Sequence, residues 1–170
     1  MLKRFCLISI AGIILSSTNI TFAETQPNTL KLGVSVTEKV PADLMGTWRV
    51  VSNLEETNYP ATFKKNNIDI WNLSRTGDVI NLRNPFTGAS AYVRVEYVKD
   101  NTIRFTKEGN YDSQTLTDTV EITLSGNKFT GKNYLSLKSY SDADNSLKSE
   151  KNATYTLRGD KISGSSVLEQ

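Results

Sequence analysis

The sequence predicts an all-β protein: an up-and-down antiparallel barrel of eight to ten strands, with long loops at one end and tight hairpins at the other. From Thr47 onward apolar residues recur at every second position, as in Val93, Val95 and Tyr97, and this is the period of a half-buried strand. A helical period is not sustained anywhere in the chain. Short and long connections alternate, and closure into a barrel removes the two exposed edges that a flat sheet would leave.

Residues 1-23 have the composition of a secretory signal peptide. A basic start precedes an apolar run from Phe5 to Leu15, and small residues at Thr21 and Ala23 suit cleavage before Glu24. The apolar run is shorter than the roughly 20 residues that a membrane-spanning helix needs. We therefore expect an exported protein, periplasmic or extracellular, with no membrane span.

Charge and composition narrow the classes of function. Lys3 and Arg4 belong to the predicted leader, so the basic residues that remain would balance the 18 acidic ones, and no basic footprint for nucleic acid is left. The one cysteine, Cys6, also lies in the leader. The chain has no histidine, which excludes Ser-His-Asp and Cys-His nucleophiles and the usual zinc sites. We expect a monomer with no catalytic residue, no cofactor and no metal, and hence not an enzyme.

The tail and the strands follow in chain order. Residues 24-42 have no clear period and predict an N-terminal tail, and residues 43-170 predict the barrel domain. The predicted strands are 45-53, 67-74, 78-84, 90-99, 102-108, 116-125, 128-137, 152-158 and 161-168. The candidates for the barrel interior are Trp48, Val50, Ile68, Ile70, Ile80, Leu82, Val93, Val95, Tyr97, Ile103, Phe105, Val120, Ile122, Leu124, Phe129, Leu135, Leu137, Tyr155 and Leu157. Trp71 is out of phase with Ile68 and Ile70, so it is expected to face outward or to lie at a bulge.

Every second connection is predicted to be a tight turn. These connections are 75-77, 100-101, 126-127 and 159-160, where Gly, Asn and Asp tolerate the positive φ of primed hairpin turns. Two of them lie in nearly identical phrases, LSGNKFTG at 124-131 and LRGDKISG at 157-164. The other connections, 54-66, 85-89, 109-115 and 138-151, are longer. Successive connections of a meander alternate between its two ends, so the tight turns would form a closed base and the long loops an open rim.

The first predicted strand begins with Gly46-Thr47-Trp48. A Gly-x-Trp at this place, together with the order of the loops, resembles the lipocalin-like barrels of the calycin superfamily, here in the form of a secreted bacterial protein. The resemblance implies an arginine near the end of the eighth strand that packs on the tryptophan, and Arg158 stands at that position. Gly46, Trp48 and Arg158 would then close the base. The chain departs from the family pattern because it lacks the Thr-Asp-Tyr signature in the sixth connection and a helix after the eighth strand.

The long loops carry five of the aromatic residues, Tyr59, Phe63, Phe86, Tyr111 and Tyr140. Aromatic side chains at a barrel mouth can gate an apolar ligand, anchor a protein partner, or fold back and plug the barrel. We predict a binding protein that takes a small hydrophobic ligand, with these five residues as its rim and gate. The alternative is a filled barrel that acts as a protein interaction module or an enzyme inhibitor through the same loops.

Two polar stretches lack the pattern of a reactive site. Residues 142-146 place oxygen ligands at alternate positions, but Leu147 stands where a calcium loop needs glycine and Ala153 where it needs glutamate. Glu55 and Glu56 are adjacent in a predicted loop, and adjacent side chains usually point apart, so paired acid-base chemistry is not expected there.

Overall fold

A computed structural model describes residues 35–164, so the predicted signal peptide, most of the predicted tail and residues 165–170 lie outside the described residues. Eight antiparallel strands form one closed barrel, in which each strand pairs with its neighbours in the chain and β1 also pairs with β8. The strands are β1 (Gly46–Thr57), β2 (Asn66–Thr76), β3 (Val79–Arg83), β4 (Ser90–Lys99), β5 (Thr102–Tyr111), β6 (Gln114–Ser125), β7 (Lys128–Tyr140) and β8 (Leu147–Ser163). The predicted up-and-down barrel is confirmed, with eight strands. Among residues 35–164 no helix is long and apolar enough to cross a membrane.

The base of the barrel is formed by short turns. β2–β3, β4–β5 and β6–β7 are joined by two residues each, and Gly77, Asp100 and Gly126 begin these turns with φ of 55°, 52° and 57°. Three mouth connections are longer loops, at 58–65, 84–89 and 141–146. The fourth mouth connection is short, so the predicted loop at 109-115 is wrong. β5 and β6 extend until only a two-residue turn separates them, and this turn begins at Asp112 with a φ of 48°.

Gly159 lies within a strand, so the predicted turn at 159-160 and the predicted division into strands 152-158 and 161-168 are wrong. β8 runs without a break from Leu147 to Ser163. Gly159 is buried, and a Cβ at this position would overlap the ring of Phe129. Glycine is therefore needed here for space beside the ring, whereas Gly126 in the first phrase has the positive φ of a turn.

Aromatic side chains fill the lower half of the barrel. The ring centroids of Trp48 and Phe129 are 5.1 Å apart, and Trp71 stacks on Phe129 at 5.9 Å and meets Phe105 edge to face at 6.5 Å. The expectation that Trp71 faces outward is wrong, because it is 6% exposed while Ile68 is 60% exposed. Trp71 lies opposite Trp48 in the β1–β2 register, and burying this indole with Leu73 sets the phase of β2.

A bulge in β4 changes which side chains face inward. The β4–β5 register shifts between Val95 and Tyr97, so the alternation of the strand is interrupted there. As a result Tyr97, a predicted interior residue, is 38% exposed, and Val98 packs against the core instead.

The segment before β1 covers the base. The segment contains two short 3₁₀ helices, at Val36–Lys39 and Ala42–Leu44. Its apolar residues Val40, Leu44 and Met45 are buried beneath the barrel. Arg75 donates from Nη1 to the carbonyl oxygens of Thr37 and Val40, at 2.9 and 3.2 Å. These bonds pin the segment to the end of β2.

The cation that packs on Trp48 is Lys161, and the predicted contact with Arg158 is wrong. The Lys161 Nζ lies 5.4 Å from the centroid of the Trp48 ring and donates to the carbonyl of Asp43 at 2.7 Å. Arg158 is exposed because the side chains of β8 alternate, with Leu157 and Gly159 directed inward on either side of it.

Gly46 and Trp48 both lie at this base. Gly46 has a φ of 125°, and a Cβ there would lie 2.5 Å from the carbonyl oxygen of Gly164. The indole Nε1 of Trp48 donates to the carbonyl of Leu44 at 2.8 Å, which satisfies its polar atom inside the core.

Candidate functional site

One side of the mouth is covered by the loop at 58–65, here called the covering loop. Tyr155 Oη donates to the carbonyl of Lys64 at 3.0 Å, and Phe63 packs against the core. Burial raises the pKa of Tyr155. Lys151 Nζ lies 4.3 Å from the ring centroid of Tyr59 and 3.3 Å from Thr62 Oγ1, so the loop is fastened to β8.

The other side of the mouth contains a cavity of about 590 Å³, here called the mouth cavity. Its walls come from β2, β3, β4, β5, β6 and the loop at 84–89, here called the rim loop. β4 and β5 pair from Lys99 with Thr102 to Arg94 with Thr106. Beyond these pairs, residues 90–93 of β4 and 107–111 of β5 are not paired with each other. Beside the cavity the backbones of β4 and β5 are therefore not joined by pairing, although the same two strands pair closer to the base.

Four of the charged and amide side chains that line the mouth cavity are bonded in pairs, and a fifth side chain, Asn133, supports one of them from outside the lining. We call this group the polar floor; it consists of Asp69, Asn84, Lys107, Asp118 and Asn133. Lys107 Nζ forms an ion pair with Asp118 Oδ2 at 2.9 Å, and Asn133 donates from Nδ2 to Asp118 Oδ1. The same Nζ lies 6.0 Å from the ring centroid of Trp71, one of the buried rings of the core.

Asp69 is bound by neutral donors. Its Oδ1 accepts from the backbone N–H of Ile70 at 2.8 Å and from Asn84 Nδ2, and its Oδ2 accepts from Trp71 Nε1 at 3.2 Å. In the described part of the chain no ion pair joins Asp69 to a lysine or an arginine. Oδ2 accepts one bond and has capacity for a second donor.

Asn84 connects the polar floor to the rim loop. Its Nδ2 donates to Asp69, and its Oδ1 accepts from the backbone N–H groups of Phe86 and Thr87 at 2.8 and 3.1 Å. One amide side chain thus fixes the backbone of the rim loop at Phe86 relative to the carboxylate of Asp69.

The structure brings together two of the five predicted rim residues. Phe86 and Tyr111 line the mouth cavity and are 83% and 63% exposed. Tyr59 and Phe63 belong to the covering loop, and Tyr140 ends β7; none of the three is among the residues that line the cavity. Tyr111 is the last residue of β5, and its ring lies along Gly109, where a Cβ would come within 3.0 Å of it.

The sequence reasoning missed the polar floor, although a signal for it was present. Asp118 is in phase with Val120 and Ile122 on β6, and Lys107 is in phase with Phe105 on β5. Because alternate residues of a strand share one face, these positions point both charged side chains into the barrel. A charge at an inward position near the mouth end of a strand marks the floor of a cavity.

Another group of charges lies on the outer wall and is not part of the cavity. Arg104 binds Glu96 at 2.7 Å and Glu121 at 3.1 Å and lies 5.6 Å from the ring centroid of Tyr134. The pKa of Glu96 is lowered by a hydrogen bond from Thr106 and then by Arg104. Hydrogen bonds from Tyr97 and then Arg104 lower the pKa of Glu121. This group links neighbouring strands by their outward side chains.

The polar stretches set aside in the sequence form local contacts. Asp144 accepts from the N–H and Oγ of Ser146 at 3.1 and 2.8 Å, and these bonds lower its pKa. Glu55 forms an ion pair with Lys132 at 3.0 Å. Within residues 35–164 no three His, Cys, Asp or Glu side chains are grouped so that they could hold a metal ion.

Comparisons of the chain with models of protein families, with curated proteins and with solved structures found no match. A function must therefore be inferred from the residues of the barrel mouth.

Proposed function

We propose that this protein is an exported binding protein, without a catalytic step, that takes a small ligand with an apolar part into the mouth cavity. The observation that carries the proposal is the unequal filling of the barrel: the lower half is packed with aromatic rings, and the mouth keeps a cavity of about 590 Å³. Small-molecule sites are concave and commonly have volumes of roughly 300 to 1,000 Å³.

Two apolar surfaces support a ligand with an apolar part. Phe86 and Tyr111 present exposed rings at the entrance, and Leu82 and Leu116 contribute to the wall. Exposed aromatic rings bury a large area at low entropic cost when a ligand packs against them. The apolar leader of the sequence supports the export part of the proposal, and the Gly-x-Trp at the start of β1 supports a relation to lipocalin-like barrels.

The experiment is a titration with the neutral apolar dye Nile red. We expect a saturable rise in fluorescence that fits one site. Phe86→Ala and Tyr111→Ala should each weaken it several-fold, because each removes an aromatic wall of the entrance. Tyr134→Ala is the matched control, since Tyr134 is 37% exposed on the outer wall and does not line the mouth cavity. Absence of saturable uptake, or an equal effect of Tyr134→Ala, would refute the proposal.

A second candidate function is docking of a protein partner at the same rim. The exposure of Phe86 and Tyr111 favours it, because aromatic residues are enriched where interfaces concentrate their binding energy. Native mass spectrometry of protein purified from its own host distinguishes the two. A small mass that is retained by the wild-type protein and lost in Phe86→Ala supports the ligand, and a co-purified polypeptide lost in the same variant supports the partner.

A further inference from the structure

The polar floor carries an excess of negative charge inside the mouth cavity. Asp69 and Asp118 contribute two carboxylates, and Lys107 contributes one ammonium group that is committed to Asp118 at 2.9 Å. Among residues 35–164, the donors to Asp69 are amide and indole groups. A partly enclosed cavity concentrates such a field, because its low-dielectric walls screen charge less than water does.

We propose that the ligand of the mouth cavity is an amphipathic amine, whose cationic group binds Asp69 and whose apolar part lies between Phe86 and Tyr111. This inference rests on the proposed function and names the chemical class of the ligand. Asp69 Oδ2 accepts one bond, from Trp71, and can accept another from an N–H of the amine. A hydrogen bond to a charged group is among the stronger polar contacts available to a ligand.

The walls of the cavity suit the apolar part of such a molecule. Phe86 lies at the entrance on the rim loop, Tyr111 lies on β5, and Leu116 continues the wall from β6. An apolar segment that enters between the two rings reaches the polar floor with its charged end. The backbone of Phe86 is fixed relative to Asp69 by Asn84, which bonds to both residues.

An anionic head group fits the same cavity poorly. Lys107 is the only cation among the described residues that line the cavity, and it is paired with Asp118, which in turn accepts a hydrogen bond from Asn133. A carboxylate would have to displace Asp118 from Lys107 and would then lie near two like charges. A neutral alcohol would form a hydrogen bond without gaining from the excess charge.

The inference is tested with octylamine, octanol and octanoate, which share a chain length and differ in the head group. Isothermal titration calorimetry at neutral pH measures each affinity. We expect octylamine to bind roughly tenfold tighter than octanol or more, since hydrogen bonds to charged groups contribute about 1.5 to 3 kcal/mol. Octanoate should bind most weakly, and added salt should weaken octylamine alone.

Asp69→Asn removes the charge and keeps the size of the side chain. It should weaken octylamine roughly tenfold and leave octanol unchanged. Asp160→Asn is the control, because Asp160 is an exposed carboxylate near the end of β8 at the base of the barrel. The ranking of the three probes on the wild-type protein decides the question even if Asp69→Asn does not fold.

The outcomes separate the inference from the proposed function. If octanol binds the wild-type protein as tightly as octylamine, the amine inference is wrong while the ligand cavity stands. If none of the three probes binds, the ligand cavity itself is wrong. Equal losses of octylamine binding in Asp69→Asn and Asp160→Asn would show a general charge effect and would also overturn the assignment to Asp69.

Discussion

Replacing Gly159 with alanine tests whether the second of the two matching phrases lies in a strand. The new Cβ would overlap three carbon atoms of the Phe129 ring. Phe129 has little freedom to move aside, because it packs on Trp48 at 5.1 Å and on Trp71 at 5.9 Å. The substitution therefore adds a methyl group to a core that has no room for it.

Overpacking of this kind costs about 1 to 3 kcal/mol of unfolding free energy. For a domain of this size each kcal/mol corresponds to roughly 3 °C, so Tm should fall by about 3 to 9 °C. Gly164→Ala is the control, since no atom lies within 4 Å of a Cβ placed there. It should leave Tm nearly unchanged.

The twin phrase provides a second comparison. Asparagine tolerates positive φ, and no atom lies within 4 Å of a Cβ at Gly126, where φ is 57°. Gly126→Asn should therefore be mild, and Gly159→Asn should be at least as harmful as Gly159→Ala. Thermal unfolding followed by circular dichroism measures all four variants. Similar losses in Gly126→Asn and Gly159→Asn, or an unchanged Tm in Gly159→Ala, would refute the packing argument.

Two further predictions concern charges outside the cavity. The folded chain lowers the pKa of Glu96 and Glu121 below 4.5, so the stability they contribute is present above that pH and is lost as pH falls through the lowered values. Urea unfolding between neutral pH and pH 3 should show this loss of unfolding free energy, which is less than about 1 kcal/mol for these partly exposed pairs. Arg104→Met should make the loss smaller. If the variant depended on pH as the wild-type protein does, the assignment to these pairs would be contradicted. Lys161→Met should lower the unfolding free energy by about 0.5 to 1 kcal/mol through the lost contact with Trp48, whereas Arg158→Met should not, and the reverse order would contradict the assignment of the cation.

The architecture of this protein could be predicted because it depends on features repeated along the chain. Alternation of apolar residues marks the strands. The short turns begin with Gly77, Asp100 and Gly126, which are residue types that tolerate positive φ. Both signals are local, so they are visible without a structure. Barrel closure follows from them because eight neighbouring antiparallel strands leave two edges to pair.

The phase of β2 and the continuity of β8 could not be predicted in the same way. Ile68 and Trp71 compete for the interior, and the winner depends on Phe105 and Phe129, which lie far away in the chain. Gly159 looks like a turn glycine until the ring of Phe129 is placed against it. A glycine that makes room and a glycine that makes a turn are the same letter in a sequence.

Only two of the predicted rim residues line the mouth cavity, because the others are placed by contacts between distant parts of the chain. Phe86 and Tyr111 were recognisable as aromatic residues of the predicted long loops, but so were Tyr59 and Phe63, which lie in the covering loop fastened to β8 and do not line the cavity. Which side of a mouth a loop covers depends on contacts such as that of Tyr59 with Lys151, and these join residues distant in sequence.

The packed lower half of the barrel makes the molecule a practical scaffold for directed evolution. The rings that hold the fold together, Trp48, Trp71, Phe105 and Phe129, are all buried, whereas Phe86, Thr87, Ser90 and Tyr111 surround an opening and are exposed. Libraries that randomise the exposed set can therefore change what is recognised while the folding determinants stay constant. Such a partition lets new specificities be selected without first adding stabilising substitutions.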